Sequence, residues 1–399
     1  MATINGNLST GNVNQTNRIF DFTEEVFLKK PDQAPFTALM TAMRETISAD
    51  PKFYWFNRGQ RPDETAINLV AGYADSATSL VVDDASIFIP GDVIAHIDPT
   101  TGVYNERMTV LTVTTGTNTI TVTRGIAGTT AVALVDGDVM VLIASAFSEN
   151  SSVPDSSVQK LTEYYNYTQI FKLTHEVSRT FMHTDFHAGG EKLKKRREEH
   201  TDTFRRLFEN AMIWGVRGIE NGTSASPKRY TGGLQQFINL AIAEGVDNTY
   251  AVPTAGALTE NLFETFLGSK AFAYGSKEKW ALCSQNALNV MNQLQGGKVR
   301  LTNFTTEFGL NITKYSTSSG VLNFVRHDSF NKGIYANSMM IFDPDNIAIR
   351  RIGDSLTTFQ SDVGLETKDG GTDLWLSEAG LQVMVPESLA FISNIVSAA

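Results

Sequence analysis

The chain has 399 residues, a formal net charge of −10, 42% hydrophobic and 19% charged residues, and one cysteine. That length holds two or three buried cores, and the composition excludes a largely disordered chain. The negative balance argues against a surface that wraps nucleic acid by neutralising phosphates, though not against enclosing nucleic acid at a distance; the lone Cys283 excludes intrachain disulfides and cysteine-rich zinc sites and fits a reducing cytoplasm.

Residues 1–17 are Asn, Thr, Gly and Ser with little that is apolar, which predicts a flexible arm. The start has neither the basic nor the apolar region of a signal peptide, and no run of ~18 apolar residues is present to cross a bilayer. Phe20, Phe22, Phe27 and Leu28 then supply apolar anchors without a core of their own, so they need another surface. Helical spacing returns through Phe36, Leu39, Met40 and Met43, and the aromatics Phe53 to Phe56 predict a strand.

From Leu69 to Phe147 the helical period vanishes and Val, Ile, Thr, Gly and Asp dominate. Short alternating runs at Ser79–Val82, Glu106–Val113 and Thr119–Thr123, separated by turns, predict a small barrel or sandwich. Pro90-Gly91-Asp92 and Asp136-Gly137-Asp138 each feed an apolar run, a faint internal echo. Asp83 and Asp84 read as a turn rather than a calcium site. Extended structure resumes over Glu163–Leu173, with Tyr165, Tyr167 and Gln169 on one face. This stretch is expected to pair with Phe53–Phe56, closing a two-stranded arm with the β module at its tip.

The stretch from Gly189 to Gly218 has no internal helix breaker and predicts one helix of about 26 residues, roughly 39 Å long at ~1.5 Å per residue. Leu193, Phe204, Leu207, Phe208, Ala211 and Met212 form its apolar stripe, crowded into the second half. The first half, Lys192 with Lys194, Lys195, Arg196, Arg197, Glu198 and Glu199, is too charged to bury without partners and is expected to lie exposed or against a neighbouring subunit. Beyond it, Leu234–Ala243, Thr259–Leu267 and Gln285–Leu294 read as helices. Trp280–Cys283, Met339–Asp343, Ile347–Arg351 and Trp375–Val385 read as strands. The class is α+β.

Motifs for catalysis are absent: there is no GxSxG elbow, no phosphate-binding GxxxxGK[ST] loop and no GxGxxG after a strand. His183, Asp185 and His187 are close enough for a metal, but HTDFH lacks the Glu of a zincin and a third ligand, so Thr184 or Asp185 capping the long helix is the expected role. Lys228-Arg229 reads as a solvated loop. Tyr164, Tyr165 and Tyr167 could stack bases, yet no basic groove accompanies them. Asn166-Tyr167-Thr168 is read as a chance glycosylation match.

The order of parts resembles the major capsid proteins of tailed bacteriophages with the HK97-type fold: polar arm, two-stranded loop, long spine helix, central α/β domain and terminal strands. Met340-Ile341-Phe342-Asp343, Ile347–Arg351 and Trp375–Phe391, with Pro386, Leu389 and Ala390, are similar to that family's C-terminus. The Gly-Asp β module followed by Asn166-Tyr167-Thr168-Gln169-Ile170-Phe171 narrows the resemblance to SU10-like major head proteins. The resemblance implies an arm at 1–43, an extended loop at 44–68 and 148–180, and an inserted module at 69–147. It further implies a peripheral domain at 181–250 and 335–375 with the spine at 189–217, and an axial domain at 251–334 and 376–399. Hexamers and pentamers of an icosahedral shell enclosing double-stranded DNA are implied, assembled in the host cytoplasm with a separate scaffold or none, with portal and decoration proteins, and with no membrane or cofactor. Phe20, Phe22, Phe27, Leu28 and the charged turn Lys194 to Glu199 are then assembly residues. An encapsulin-like compartment shares the fold, and a metal-dependent hydrolase is the enzymatic alternative.

Overall fold

A computed structural model describes residues 35–36, 39, 44–59, 61–97, 102, 104–154, 161–184, 192–221, 226–253, 257–294, 301–307, 310–331, 333–353, 356–363 and 369–396. The chain forms two units, one of residues 1–55 and 164–399, the other of residues 56–163.

The smaller unit is an antiparallel sheet of six strands. Its order is Glu64–Ala66, Val139–Ser145, Asp92–Ile97, Tyr104–Thr114, Thr119–Thr123 and Ser79–Val81. The outer strands meet through an Ile67–Val82 bridge, where Asn68 N–H donates to Val81 O at 3.0 Å and Asp83 N–H to Ala66 O at 2.9 Å. The sheet therefore closes into a barrel and leaves no open edge. Alternate residues fill it: Leu80, Ile94, Met108, Val110, Ile120, Val122 and Met140 are all buried. Glu64–Ala66 belongs to this sheet although it precedes the expected start at Leu69.

The Gly-Asp echo is structural. Gly91 and Gly137 both take positive φ, +96° and +86°, and the aspartate after each turns back to accept the amide three residues earlier. Ile89 N–H reaches Asp92 at 2.9 Å and Val135 N–H reaches Asp138 at 2.7 Å. The strands that follow lie side by side and antiparallel, Ala95 opposite Val141. Asp84 caps the turn Ala85–Ile87 by accepting Ser86 N–H at 2.8 Å.

Inside the barrel wall Glu106 is fully buried and paired with Arg124, whose Nε and Nη2 donate at 2.7 and 2.6 Å, while Gly125 and Val132 amides donate at 3.0 and 3.1 Å. Burial pushes the Glu106 carboxyl up, but these donors outweigh it and hold it below its ordinary value of 4.5. The charge is affordable only because every donor is in place.

Among the described residues the larger unit has two large sheets beside shorter two-stranded pairings. One runs Arg44–Ile47, Ile347–Arg351, Gly370–Val383, Gln169–Ser178, with Thr358–Gln360 also paired to Gly370–Val383. The other runs Thr249–Ala251, Ala390–Ser393, Met339–Phe342, Glu278–Cys283, Val321–Arg326, Leu310–Ser316, Leu301–Glu307. Met339–Phe342 lies in the middle of the second sheet, and all four of its residues are buried. Residues 376–383 continue the long strand Gly370–Val383 of the first.

The spine helix spans Lys192–Trp214. Phe204, Phe208, Met212 and Ile213 share one core with Trp375 and Leu381 of the first sheet and Leu282, Met340 and Phe342 of the second. Phe208 meets Phe171 edge-on at 5.0 Å. Leu207, expected in the stripe, is 49% exposed: the stripe is narrow, and its position lies on the outer flank. The helix ends where its backbone touches the next segment. A Cβ on Gly215 would come 2.5 Å from Thr231 O, and one on Gly233 2.7 Å from Met212 O. Helices Leu234–Ala243, Glu260–Phe266 and Gln285–Leu294 follow, the second continuing into a π turn, Leu267–Ala271. Lys228-Arg229, expected in a loop, lies on a short strand paired with Gly218–Glu220.

Arg124→Ala is expected to cost the barrel about 3–5 kcal/mol by stranding a buried carboxylate. Because the Glu106 value is depressed, its contribution is present above pH 4.5 and is lost as pH falls through the folded value. Urea unfolding at neutral and acid pH checks both, and an unchanged midpoint for the variant at neutral pH contradicts them.

Candidate assembly interface

The charged turn of the spine helix divides in two. Lys194, Arg196, Glu198 and Glu199 are exposed and Lys195 is half-buried. Arg196 lies over the Phe181 ring at 5.0 Å. Arg197 faces inward, its Nε 2.7 Å and Nη2 3.0 Å from the two oxygens of Asp373 on the long strand, with the Phe359 ring 5.5 Å away. Burial raises the Asp373 carboxyl, but Arg197 outweighs it and leaves it below the usual carboxylate range. Arg197 is thus used within the subunit. Phe20, Phe22, Phe27 and Leu28 lie outside the described residues.

The other end of the same helix carries Glu209, 1% exposed in the middle of the apolar stripe. One of its oxygens accepts Phe36 N–H at 2.7 Å and lies 2.5 Å from His327 Nε2. His327 Nδ1 accepts Ser329 N–H at 3.1 Å, so that nitrogen is unprotonated and Nε2 carries the hydrogen given to Glu209. Beside it Ser329 Oγ donates to Asn210 at 2.7 Å. The buried Phe36 ring meets Phe342 edge-on at 5.4 Å. The segment that carries the arm is therefore fixed at its root by one carboxylate and one ring.

The two-stranded ribbon pairs Lys52–Asn57 with Thr162–Tyr167. Asn166, which is fully buried, holds its root: Nδ2 donates to Leu381 O at 2.6 Å and Gly232 O at 3.0 Å, and Oδ1 accepts the amides of Tyr167 and Gly232, both at 2.8 Å. The extended run breaks at Thr168. Thr168 N–H donates to Pro51 O at 2.8 Å and its hydroxyl to Glu378 at 3.2 Å. Residues 164, 166 and 168 face inward before the break, residues 171, 175 and 177 after it. Gln169 accepts Thr231 N–H at 3.1 Å. Tyr165 is covered by two cations, Lys52 at 4.3 Å and Arg217 at 3.9 Å from the ring centre, so it is not a free face for a base.

His183 is exposed on the short helix Arg179–His183, Asp185 and His187 lie outside the described residues, and among those described no three His, Cys, Asp or Glu residues group to hold an ion. Thr184 is the C-cap of that short helix, its hydroxyl donating to Thr180 O at 2.7 Å. Glu209, His327 and Asp373 were not singled out from sequence. Glu209 alone left a local signal, a charge at a buried helical position between Phe208 and Met212.

The model of the SU10 major capsid protein family matches residues 4–396, and the chain belongs to that family. It is a major capsid protein of a tailed bacteriophage, a structural component of the virion that forms its shell from copies of itself. No curated protein matches it in sequence. Similar solved structures include a chain of Mycobacterium phage Bobi at 9% identity and TM-score 0.49, covering 96% of this chain and 97% of that one. The capsid of a native GTA particle is 10% identical at TM-score 0.49, covering 98% and 99%. The SrpI encapsulin of Synechococcus elongatus is 10% identical at TM-score 0.43, covering 60% and 80%.

Glu209→Ala strands the Phe36 amide and the His327 Nε2–H in the core and is expected to lower the unfolding free energy by about 3–5 kcal/mol. Glu209→Gln keeps an acceptor and is expected to cost about 1 kcal/mol. Equal losses for the two variants in denaturant titrations contradict the assignment.

Proposed function

We propose that the chain carries the HK97-type fold and builds hexamers and pentamers of an icosahedral shell around double-stranded DNA, assembled in the host cytoplasm with separate scaffold and portal proteins and with decoration proteins. The family match over residues 4–396 is the observation that carries this reading. The larger unit supplies the peripheral and axial domains, and the barrel is the inserted module. Support for lateral contacts comes from the spine helix, whose Lys194, Arg196, Glu198 and Glu199 face outward beside exposed Leu207, with Val216 exposed just past its end. Phe20, Phe22, Phe27 and Leu28 act as a strap onto a neighbour, each contributing about 1.5–3 kcal/mol on burial. That is enough to dock residues 1–30 but not to offset ~1–2 kcal/mol of backbone entropy per residue in an isolated subunit.

Removing residues 1–30 is expected to leave the subunit's melting temperature unchanged and to abolish closed shells seen by electron microscopy when scaffold and portal are supplied. Lys194→Glu with Arg196→Glu is expected to lower shell yield at least about tenfold without unfolding the subunit. Normal shells from both variants would sink the assigned contacts, and an intact chain that stays monomeric with its partners would sink the shell itself.

A further inference from the structure

Beside the Arg197–Asp373 clamp are two histidines that the assembly reading does not use. His175, on strand Gln169–Ser178, is 7% exposed, and its ring centre lies 4.5 Å from that of His200 on the spine helix. His200 in turn stacks on Trp375 at 5.9 Å, and Trp375 Nε1 donates to Thr201 at 3.1 Å. The Nδ1 atoms of both histidines are shielded from solvent and make no hydrogen bond among the described residues. His175 Nδ1 lies 3.8 Å from Asp373 Oδ2, too far for a hydrogen bond, and that same oxygen holds Arg197 Nε at 2.7 Å.

We propose that Asp373 is a shared carboxylate that passes from Arg197 to His175 on acidification, releasing the charged half of the spine helix from the long strand. The charged groups around His175 are His200, Arg196 and Arg197 from the helix and Asp373 from the long strand. Arg179 and Asp362 line the cleft beside the clamp. Asp373 is the acidic member of the set around His175, and Arg197 occupies both its oxygens. At neutral pH the His175 imidazole is uncharged and the clamp is closed. A proton on His175 adds a positive charge next to Arg196 and Arg197 and 3.8 Å from the shared oxygen. A small rotation of the carboxylate then satisfies His175 Nδ1–H, and Arg197, whose side chain is already 35% exposed, swings to water. Two rings at 4.5 Å repel if both are charged, so one proton completes the exchange.

The sign follows from burial and then His200, which together hold His175 below its ordinary 6.5. A base disfavoured as its charged form in the folded state contributes stability above 6.5 that is lost as pH falls toward the folded value. Release therefore occurs on the acid side of 6.5. The exchange is internal to the subunit and does not depend on the shell's geometry.

Hydrogen exchange of the full-length protein, corrected for the intrinsic pH dependence of amide exchange, tests it. Amides of residues 192–203 are expected to exchange at least about tenfold faster at about pH 5.5 than at about pH 7.5, while helix Leu234–Ala243 stays unchanged. His175→Gln is expected to remove the acceleration. Asp373→Asn is expected to give fast exchange at both pH values. No acceleration in the unmodified protein, acceleration in His175→Gln equal to the unmodified protein's, or slow exchange of Asp373→Asn at neutral pH each overturns the proposal. If His175→Gln also loses protection in Leu234–Ala243, His200→Gln decides: removing the repelling ring is expected to move the transition to higher pH, and an unmoved transition overturns the exchange.

Discussion

Three distant stretches of the larger unit meet at one buried carboxylate. Glu209 lies 173 residues from Phe36 and 118 from His327, and its Oε1 atom contacts both. A charge in a shielded site is tolerable only with its partners present, so the spine helix cannot seat its apolar stripe unless the arm's root and the turn after Val321–Arg326 are already in place. The contact makes docking of the helix conditional on the rest of the unit. That explains how a helix whose first half is charged and whose second half is apolar adopts one position rather than sliding along its own stripe.

A second constraint sets the direction of the ribbon. Asn166 is fully buried yet has a partner for every polar atom, bonding loop residue Gly232 and strand residue Leu381 at once. Thr168 then ties the ribbon to Pro51 and shifts the alternation by one, so the chain leaves one surface and enters the next strand with its opposite face inward. An apolar residue at 166 could fill the volume but could not connect three backbones. The short run from Asn166 to Phe171 is therefore a joint in which each side chain has a distinct partner, and a resemblance carried by that run marks a joint rather than a chemistry.

What was legible in the sequence was whatever local periodicity dictates. Leu234–Ala243 shows its helical spacing, Met339–Phe342 its unbroken apolar run, and the barrel strands their alternation and Gly-Asp turns. The strands Leu301–Glu307 and Leu310–Ser316 went unseen because Asn, Thr and Lys interrupt their alternation. The long strand begins at Gly370, five residues before the apolar signal at Trp375, because two glycines conceal its start. The charged half of the long helix is expected exposed or against a neighbouring subunit; Lys194 and Glu198 are exposed while Arg197 is paired within the subunit, and Glu106 and Glu209 left no expectation at all. Arg197, Glu106 and Glu209 each find a partner between 18 and 176 residues away, and no window of sequence contains both halves of such a pair.

The barrel's closure also orders the events of synthesis. All its strands lie between residues 64 and 145, so every pairing is available as soon as that stretch leaves the ribosome. The sheet of the larger unit has no such freedom. Arg44–Ile47 must wait for Ile347–Arg351, and Gln169–Ser178 for Gly370–Val383, so almost the whole chain is translated before either edge is covered. Nascent chains thus carry a finished bead beside an unfinished sheet, and the long interval before the last strands arrive is when exposed edges of sibling chains can pair wrongly. An edgeless barrel folded in the chain between Arg44–Ile47 and Gln169–Ser178 shortens the loop that joins those two strands through that interval.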